Sequence, residues 1–514
     1  RNLRLGRAQS LQGDVFLQVN GDASQGHGNI SALKVEAEND VGILATGNLD
    51  IVNVDLVGAN SLRAGRDLTV GIGGNLNVTG VAEAGRDLTL TVGGEIDLEA
   101  IRAGRNVLVT SGGAVNLTNG VETGGAVTIT AAGGGITMGT GIQSSGLFEG
   151  AAVNGDVLLN AAGDISIPNI VVGNGLISAS GHNLSLNQLT ASGDVGLLAS
   201  GSIRVGTSQS GGDQSWHADE DIWFTRLLAG GQVLLDSILD TRGNELVADQ
   251  GVTINAGWRN AVAGPGSIDV DRMQAPTMSL WAGHLIRVAD AGIGQSADLH
   301  GQDIELYGQH TGAGQLNLDI TGSGDAIANR LVLGLQAGQV QIAQLHVSDS
   351  QVQMSGAQLA IDDAQGVDRM RLQTSQAIIV MNNASPAYLG GADIQLYEKD
   401  RAFSFAQNQL TSTTNAYVLH RAYTHQVLVP NFMEDHEGAG GIQYQGMTAA
   451  RYGEQFLSNG FTLARLASLL DAAALRVPGG GWVANWQLQP AELRINLDLP
   501  EQPSTSEEVS KWEI

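Results

Sequence analysis

A repeat of 19 to 20 residues constrains what this chain can fold into more than any other feature of its sequence. The segment Ala-Gly-Arg-Asp-Leu-Thr begins at Ala64 and again at Ala84, a related segment begins at Ala103, and a degenerate copy begins at Thr123. A pair of glycines starts nine residues after each of the first three starts. The repeat is too short for a βαβ unit of about 30 residues or a WD40 blade of about 40 to 45 residues, and it lacks the Leu and Asn/Cys pattern of a leucine-rich repeat. A coil of short strands with glycine or asparagine corners fits this length.

Apolar and polar residues alternate within each repeat, as at Leu68, Val70 and Ile72. A period of two is typical of a strand with one buried face. We call residues at the same position of successive repeats a column. One apolar column contains Leu68, Leu88, Val107 and Val127, and the next contains Val70, Leu90, Val109 and Ile129. The sequence therefore predicts an all-β fold, a parallel β-helix whose core is built from these columns.

Three regions keep the repeat to different degrees, and we predict them as domains. Residues 1–235 carry regular coils; Asp156, Gly175, Asp194, Asp213 and Gln232 open a further series at steps of 19, and residues 146–153 form a loop outside the stack. Residues 236–430 continue the stack irregularly, with an insertion at 240–273. Residues 431–514 are predicted to form a small α+β module, with a helix in 451–475, that caps the open end of the stack.

Composition excludes several kinds of partner. The chain has 26 basic and 52 acidic residues, a formal charge of −26, which argues against nucleic acid and anionic membranes, because both require a basic patch. No apolar run is long enough to span a membrane. The absence of cysteine excludes disulfides and thiolate metal sites. Because the chain starts at Arg1 without a signal peptide, we expect it to be part of a longer precursor.

The Ala-Gly-Arg-Asp-Leu-Thr repeats resemble the haemagglutinin repeats of filamentous-haemagglutinin-like exoproteins, which are exported by two-partner secretion. The resemblance covers residues 40–235 well, although the Asn-Pro-Asn motifs of the family's amino-terminal secretion domain are not found. It implies a right-handed β-helix, an outer-membrane two-partner-secretion transporter as a partner, a secreted or cell-surface location, and adhesion to surfaces or other cells. Length, acidity and the non-repetitive end resemble the CdrA-type biofilm-matrix adhesins, which bind exopolysaccharide and are released by a periplasmic protease.

Such proteases favour an Ala-Ala bond within Thr-Ala-Ala-Gly. Residues 130–133 spell this motif but lie in a predicted strand, where a protease could not reach them. Residues 448–451 depart from it at the last position but are better placed. Ala449 and Ala450 are therefore the candidate cleavage residues.

Right-handed β-helices also include polysaccharide lyases and hydrolases, whose sites need converging carboxylates with a basic residue, or paired acids. Asp240, Asp269, Asp271 and Arg272 lie near the insertion, but their spacing matches no such signature. No nucleophile elbow or His-Glu-x-x-His motif is present. We expect no enzymatic activity, no catalytic residue, no metal site and no cofactor, apart from calcium or other divalent cations held diffusely by the excess of acidic residues.

Tryptophans provide the candidate ligand site, because sugars stack on exposed aromatic rings. Trp216 aligns with Leu159, Leu197 and Leu235 and is predicted to lie in the core. Trp258, with Arg259 and Asn260 in the insertion, is the best candidate for binding, and Trp223 and Trp281 are further candidates.

The leading hypothesis is a secreted fibrous adhesin that mediates cell–cell, surface or biofilm-matrix attachment. Its ligand would be an exopolysaccharide or a glycan of a host or bacterial surface. A β-helical polysaccharide lyase or hydrolase and a purely structural stalk are the alternatives.

Overall fold

The computed structural model describes residues 2–52, 60–259, 262–322 and 327–355, and beyond these the strands Gln358–Gln365, Arg369–Thr374, Ile378–Asn383, Asp393–Glu398, Ser404–Phe405 and Ala416–His420. The described residues form a parallel β-solenoid of about 15 turns, with one 3-10 turn at Ala23–Gln25 and no α-helix. The predicted stack of parallel strands is confirmed. The predicted module at 431–514, with Ala449 and Ala450, lies outside the described residues.

The chain divides into two compact units, Arg1–Thr253 and Ile254–Ile514. In the first unit, each coil contains one short strand and one long strand. The short strands are Val15–Val19, Val41–Ala45, Leu68–Ile72, Leu88–Val92, Val107–Ser111, Val127–Ala131, Val157–Ala161, Ile177–Gly181, Val195–Ala199, Gln214–Ala218 and Gln232–Ser237. The long strands, three of them split in two, are Leu3–Ser10, Ile30–Ala37, Leu49–Ile51 with Asn60–Ala64, Leu76–Ala84, Ile96–Ala103, Val115–Leu117 with Gly120–Thr123, Ile136–Met138 with Gly141–Ser144, Ile165–Val172, Leu184–Ala191, Ile203–Ser210, Ile222–Ala229 and Thr241–Ala248.

Longer strands are typical of the second unit. Gly251–Ala256 crosses the boundary between the units and is followed by Trp258–Arg259, Val262–Ala263, Ile268–Ala282, Leu285–His300, Asp303–His310, Leu316–Thr321, Ala328–Gln336 and Gln339–Ser355. Ile268–Ala282 pairs in parallel with Leu285–His300, which pairs in turn with Asp303–His310 and Leu316–Thr321. The long strands that the structure describes in the second unit therefore also stack in parallel.

The core of the first unit consists of the predicted apolar columns. Leu88 pairs in register with Leu68 and with Val107, and all three side chains are at most 2% exposed. In most of the unsplit long strands two adjacent residues in the middle both leave the core, as at Asn187 and Gln188, whereas in Ile96–Ala103 the middle residues Ala100 and Ile101 are both buried.

The observed register differs from the predicted one at one coil. Val157 pairs with Ile177, and Ile177 pairs with Val195, so these steps are 20 and 18 residues. Leu176, and not Gly175, therefore occupies the position equivalent to Asp156, and its amide donates to Asp156 Oδ1 at 2.9 Å. Burial decides this register, because a shift of one residue would turn every core side chain outward.

Residues 146–153 leave the stack as predicted. Leu147–Phe148 and Ala151–Ala152 form an antiparallel hairpin around Glu149 and Gly150, whose φ angles are 52° and 81°. Two adjacent residues with positive φ are typical of a tight hairpin turn.

Close approach of successive coils explains the glycine of the repeated Ala-Gly-Arg-Asp motif. A Cβ atom on Gly85 would lie 2.0 Å from the carbonyl oxygen of Gly65 in the preceding coil. Gly104 faces Gly85 in the same way, again at 2.0 Å. Only glycine fits at this corner, because the backbones of successive coils approach so closely.

The arginine of the same motif pairs with an aspartate one coil back. Arg86 Nε donates to Asp67 Oδ1 at 2.8 Å, and Arg105 Nε donates to Asp87 Oδ1 at 2.8 Å. The same Asp87 oxygen accepts the backbone N–H of Asn106 in the next coil at 3.2 Å. We call this set the Arg–Asp ladder. Each carboxylate both pairs with an arginine and accepts a backbone amide of the following coil, so the stacked arginines form a compensated, partly exposed face.

Asp87 provides a test of these two roles. Asp87→Asn keeps the oxygen that accepts the Asn106 amide but removes the charge, whereas Asp87→Ala removes both. We expect Asp87→Ala to lower the free energy of unfolding by about 1 kcal/mol, and Asp87→Asn to lower it by less. Guanidinium chloride unfolding measures the difference, with Asp97→Ala on an exposed strand position as control. If the two Asp87 variants lose the same free energy of unfolding, the hydrogen bond from the Asn106 amide to Asp87 contributes nothing to stability.

The ladder also predicts a response to acid. A hydrogen bond from Arg66 lowers the pKa of Asp40, and one from Arg105 lowers the pKa of Asp87. Because folding lowers both pKa values, this stabilisation is complete above the unfolded value of about 3.9 and is lost as pH falls through the lower folded values. We expect the melting temperature, followed by circular dichroism from pH 6 to pH 2, to fall below about pH 4.

The double variant Asp40→Asn/Asp87→Asn should show a smaller fall than the parent, because its two side chains cannot take up a proton in this range. Asp97→Asn is the control. A parent and a double variant with the same acid profile would contradict the assignment.

Candidate functional site

Trp216 belongs to the core, as predicted. It pairs in register with Leu197 and Leu235, is 0% exposed, and meets the ring of Phe224 edge-on at 6.2 Å. Burial removes its ring from any ligand. The candidates for binding are therefore the other three tryptophans of this region.

Trp258 and Arg259 lie on a small hairpin of the second unit. Their strand pairs antiparallel with Val262–Ala263. Asn260 lies outside the described residues. The insertion is shorter than predicted, because Thr241–Ala248 is an ordinary long strand in register with Ile222–Ala229. The strand of Trp258 and Arg259 thus leaves the parallel pairing of the stack.

Trp281, also in the second unit, is half-buried. Its ring stacks on His300 with a centroid separation of 3.6 Å and an interplanar angle of 19°, and its Nε1 donates to Ser279 Oγ at 2.8 Å. His300 in turn hydrogen-bonds Thr321 Oγ1. One face of the Trp281 ring and its only donor are thus engaged within the protein.

Trp223 is the most open of the tryptophans whose side chains are described. It is 38% exposed on a long strand of the first unit. Arg204 and Arg242 occupy the same position on the strands on either side, and their guanidinium carbons lie 4.5 Å and 5.9 Å from the Trp223 ring centroid. We call these three residues the Arg–Trp–Arg row. Trp223 was predicted from the sequence as a candidate, whereas the two arginines were not, although they lie one repeat of 19 residues before and after it.

The two arginines of the row differ in their ionic partners. Arg242 donates to Asp240 Oδ2 at 2.6 Å. Arg204 contacts the Trp223 ring, and no carboxylate among the described residues forms an ion pair with it. A guanidinium over an indole ring is stabilised by the cation–π interaction, and it carries N–H donors in a planar fork that matches a carboxylate. In a chain of charge −26, Arg204 is therefore a cation with capacity for an external anion.

A groove on the same unit was not found from the sequence. Two adjoining hollows of about 550 Å³ and 500 Å³ share the outward side chains of Arg102, Glu122 and Gln143. These residues belong to a column in which charge alternates in sign through five successive coils: Glu36, Arg63, Glu83, Arg102 and Glu122. From Arg63 to Glu122 these residues recur at steps of 19 to 20, which was the signal available in the sequence.

The alternating column neutralises itself. Arg63 lies 3.3 Å from Glu36 and 3.4 Å from Glu83, and Arg102 Nε donates to Glu122 at 3.1 Å. Because these charges satisfy one another, the groove offers a ligand fewer unpaired groups than Arg204 does. We therefore regard the Arg–Trp–Arg row as the principal candidate site.

Three of the four charged residues named near the insertion, Asp240, Asp269 and Arg272, are held in ion pairs. Asp240 pairs with Arg242 at 2.6 Å, Asp269 with Arg287 at 2.7 Å, and Arg272 with Asp290 at 3.7 Å. Asp269 raises the pKa of Arg287 through their hydrogen bond. In the described part of the chain, no group of three or more His, Asp or Glu residues is arranged to hold a metal ion.

Comparison of the chain with known protein families, curated proteins and solved structures gives no match. The described residues include no helix with the length and apolar character needed to cross a membrane. Fold and site together define the chain as a parallel β-solenoid that displays a row of cationic and aromatic side chains on one long-strand face.

Proposed function

We propose that this protein is a fibrous adhesin that acts outside the cell and attaches by binding carbohydrate, in particular anionic polysaccharide. The observation that carries this proposal is the Arg–Trp–Arg row, where Arg204 lacks a carboxylate partner in the described structure and covers an exposed indole ring. A guanidinium fork matches the geometry of a carboxylate or sulfate group. The apolar indole suits the C–H face of a sugar ring.

Anionic sugars fit the row better than neutral ones. Because Arg204 and Arg242 flank the ring from the two neighbouring strands, a sugar that approaches Trp223 meets a guanidinium first. A uronate or a sulfated residue would replace the missing carboxylate of Arg204 and could contact the exposed part of the indole at the same time. A neutral sugar would have to displace the cation–π contact without forming an ion pair in return.

The solenoid supports the fibrous part of the proposal. Each coil adds about 4.8 Å to the stack, and successive coils are joined by in-register backbone hydrogen bonds. Such a scaffold holds a surface site at a fixed position on a stiff support. Export through an outer-membrane two-partner-secretion transporter, a cell-surface location and release near Ala449 and Ala450 rest on the family resemblance and stay proposals.

A polysaccharide lyase or hydrolase is the second candidate. The observation that favours it is the groove, where Glu83 and Glu122 lie on either side of Arg102. Incubation with polyuronate and with neutral glucan separates the two functions. Unsaturated or shortened products would contradict the adhesin, whereas retention without cleavage would support it.

The proposed site predicts that binding differs between glycans and between variants of Arg204. We expect retention on immobilised polyuronate and dextran sulfate and none on unmodified dextran. Arg204→Ala should raise the Kd for polyuronate about tenfold, which corresponds to about 1.4 kcal/mol, because one charge-assisted contact is lost. The Kd of Arg204→Lys should lie between those of the parent and of Arg204→Ala, because lysine keeps the charge and loses the planar fork. Surface plasmon resonance measures each Kd, and Ser185→Ala, the exposed neighbour one coil away, is the control.

The tryptophans extend the same experiment. Trp223→Ala should weaken binding as Arg204→Ala does, and Trp258→Ala should weaken it only if the hairpin of the second unit also contacts the glycan. If Arg204→Ala is retained as strongly as the parent, the Arg–Trp–Arg row is not part of the glycan-binding site. Absence of retention on all three polymers would favour a purely structural stalk.

A further inference from the structure

The outward face of the short strands carries no charged side chain over nine successive short strands of the first unit, from Val15–Val19 to Val195–Ala199. Each of these strands turns two residues outward. They are Phe16, Gln18, Gly42, Leu44, Thr69, Gly71, Thr89, Thr91, Leu108, Thr110, Thr128, Thr130, Leu158, Asn160, Ser178, Ser180, Gly196 and Leu198. We call this surface the neutral face.

Charge is abundant on the surfaces beside the neutral face. The long strands of the same coils display Glu36, Arg63, Glu83, Arg102 and Glu122 in one column. The corner before the short strands carries the Arg–Asp ladder. The neutral face is thus bordered by charge, which resembles an interface with an uncharged centre and a polar rim.

Large apolar side chains stand out from the neutral face. Phe16 is 62% exposed and Leu198 is 50% exposed, while Leu44, Leu108 and Leu158 are each more than 40% exposed. Between them lie mostly threonine, serine and glycine, whose side chains are smaller and protrude less from the sheet. Protruding leucines among small residues can fit between those of a second sheet of the same kind, since stacked sheets approach to about 10 Å.

The face is large enough for a stable interface. Nine strands spaced by about 4.8 Å, each five residues long at about 3.3 Å per residue, cover about 40 Å by about 16 Å. Two such faces would bury on the order of 1,300 Å² in total, within the range of about 1,200 to 2,000 Å² for specific protein interfaces.

We propose that the neutral face is a homotypic interface, through which two copies of this chain pack sheet against sheet. Each copy carries a net charge of −26, so approach through most other surfaces is opposed by repulsion, whereas two neutral faces can meet without placing like charges together. A two-fold axis makes the same residues contact each other from both sides. This interaction is separate from carbohydrate binding, because the Arg–Trp–Arg row lies on a long-strand face.

Oligomeric state tests the proposal. Thr110 and Thr130 are register neighbours on the neutral face, and Thr110→Glu/Thr130→Glu would place two carboxylates at its centre. We expect the full chain to form a concentration-dependent dimer by analytical ultracentrifugation, strengthened by added salt, which screens the net charge. The double glutamate variant should be monomeric at concentrations at which the parent is dimeric, a loss of at least tenfold in association constant.

A matched control adds the same charge elsewhere. Thr137 and Ser166 are exposed register neighbours on the long strands, and Thr137→Glu/Ser166→Glu should leave the dimer intact. Leu108→Ala/Leu158→Ala removes apolar side chains without adding charge and should weaken the dimer. Circular dichroism establishes that each variant is folded.

Three results would overturn the proposal. They are a parent that stays monomeric at low and high salt, a neutral-face glutamate variant that associates as the parent does, and a monomer that binds insoluble neutral glucan through this face. The last result would assign the surface to a polysaccharide. We expect Arg204→Ala to lose glycan retention and to keep the dimer. The two proposals can therefore fail independently.

Discussion

Parallel, in-register hydrogen bonding between successive coils is the interaction on which the rest of this structure depends. The amide of Leu68 donates to the carbonyl of Asp87 at 2.9 Å, and the amide of Leu88 donates to that of Asn106 at 2.9 Å. Buried amides without partners are costly, so a coil cannot slip along its neighbour without losing several such bonds. Each residue consequently meets the residues at the same position one coil before and after it, and the repeat in sequence becomes a column in space.

Columns explain why so few residue types satisfy each position. An apolar column fills the interior, a glycine column permits the corner where Gly85 faces the carbonyl of Gly65, and an Asp or Asn column accepts amides from the next coil. A column of arginines would place like charges about 4.8 Å apart. The Arg–Asp ladder avoids this cost because each arginine reaches back to the aspartate of the preceding coil, as Arg86 does to Asp67.

The period of the repeat was sufficient to predict the parallel stack, the core columns, the burial of Trp216 and the loop at 146–153, because each follows from counting residues between coils. Counting was insufficient where a coil is one residue longer and the next is shorter, so Leu176 rather than Gly175 follows Asp156 in its column. The same period places Arg204 and Arg242 beside Trp223, but on the outward positions of the strands and not in the apolar columns. The groove depends on how the outward side chains of Arg102, Glu122 and Gln143 are arranged across successive coils, which alternation within one strand does not show.

Folding does not require the short strands to be uncharged. A charged column is stable in this protein when its sign alternates, as the sequence Glu36, Arg63, Glu83, Arg102, Glu122 shows on the neighbouring long strands. It is also stable when a second column supplies counter-charges one coil back, as in the Arg–Asp ladder. Both solutions were available to the outward positions of the short strands, and neither is used from Phe16 to Leu198. Because the intramolecular constraint permits charge there, its exclusion is better explained by an intermolecular constraint, a surface that must come into contact with another uncharged surface.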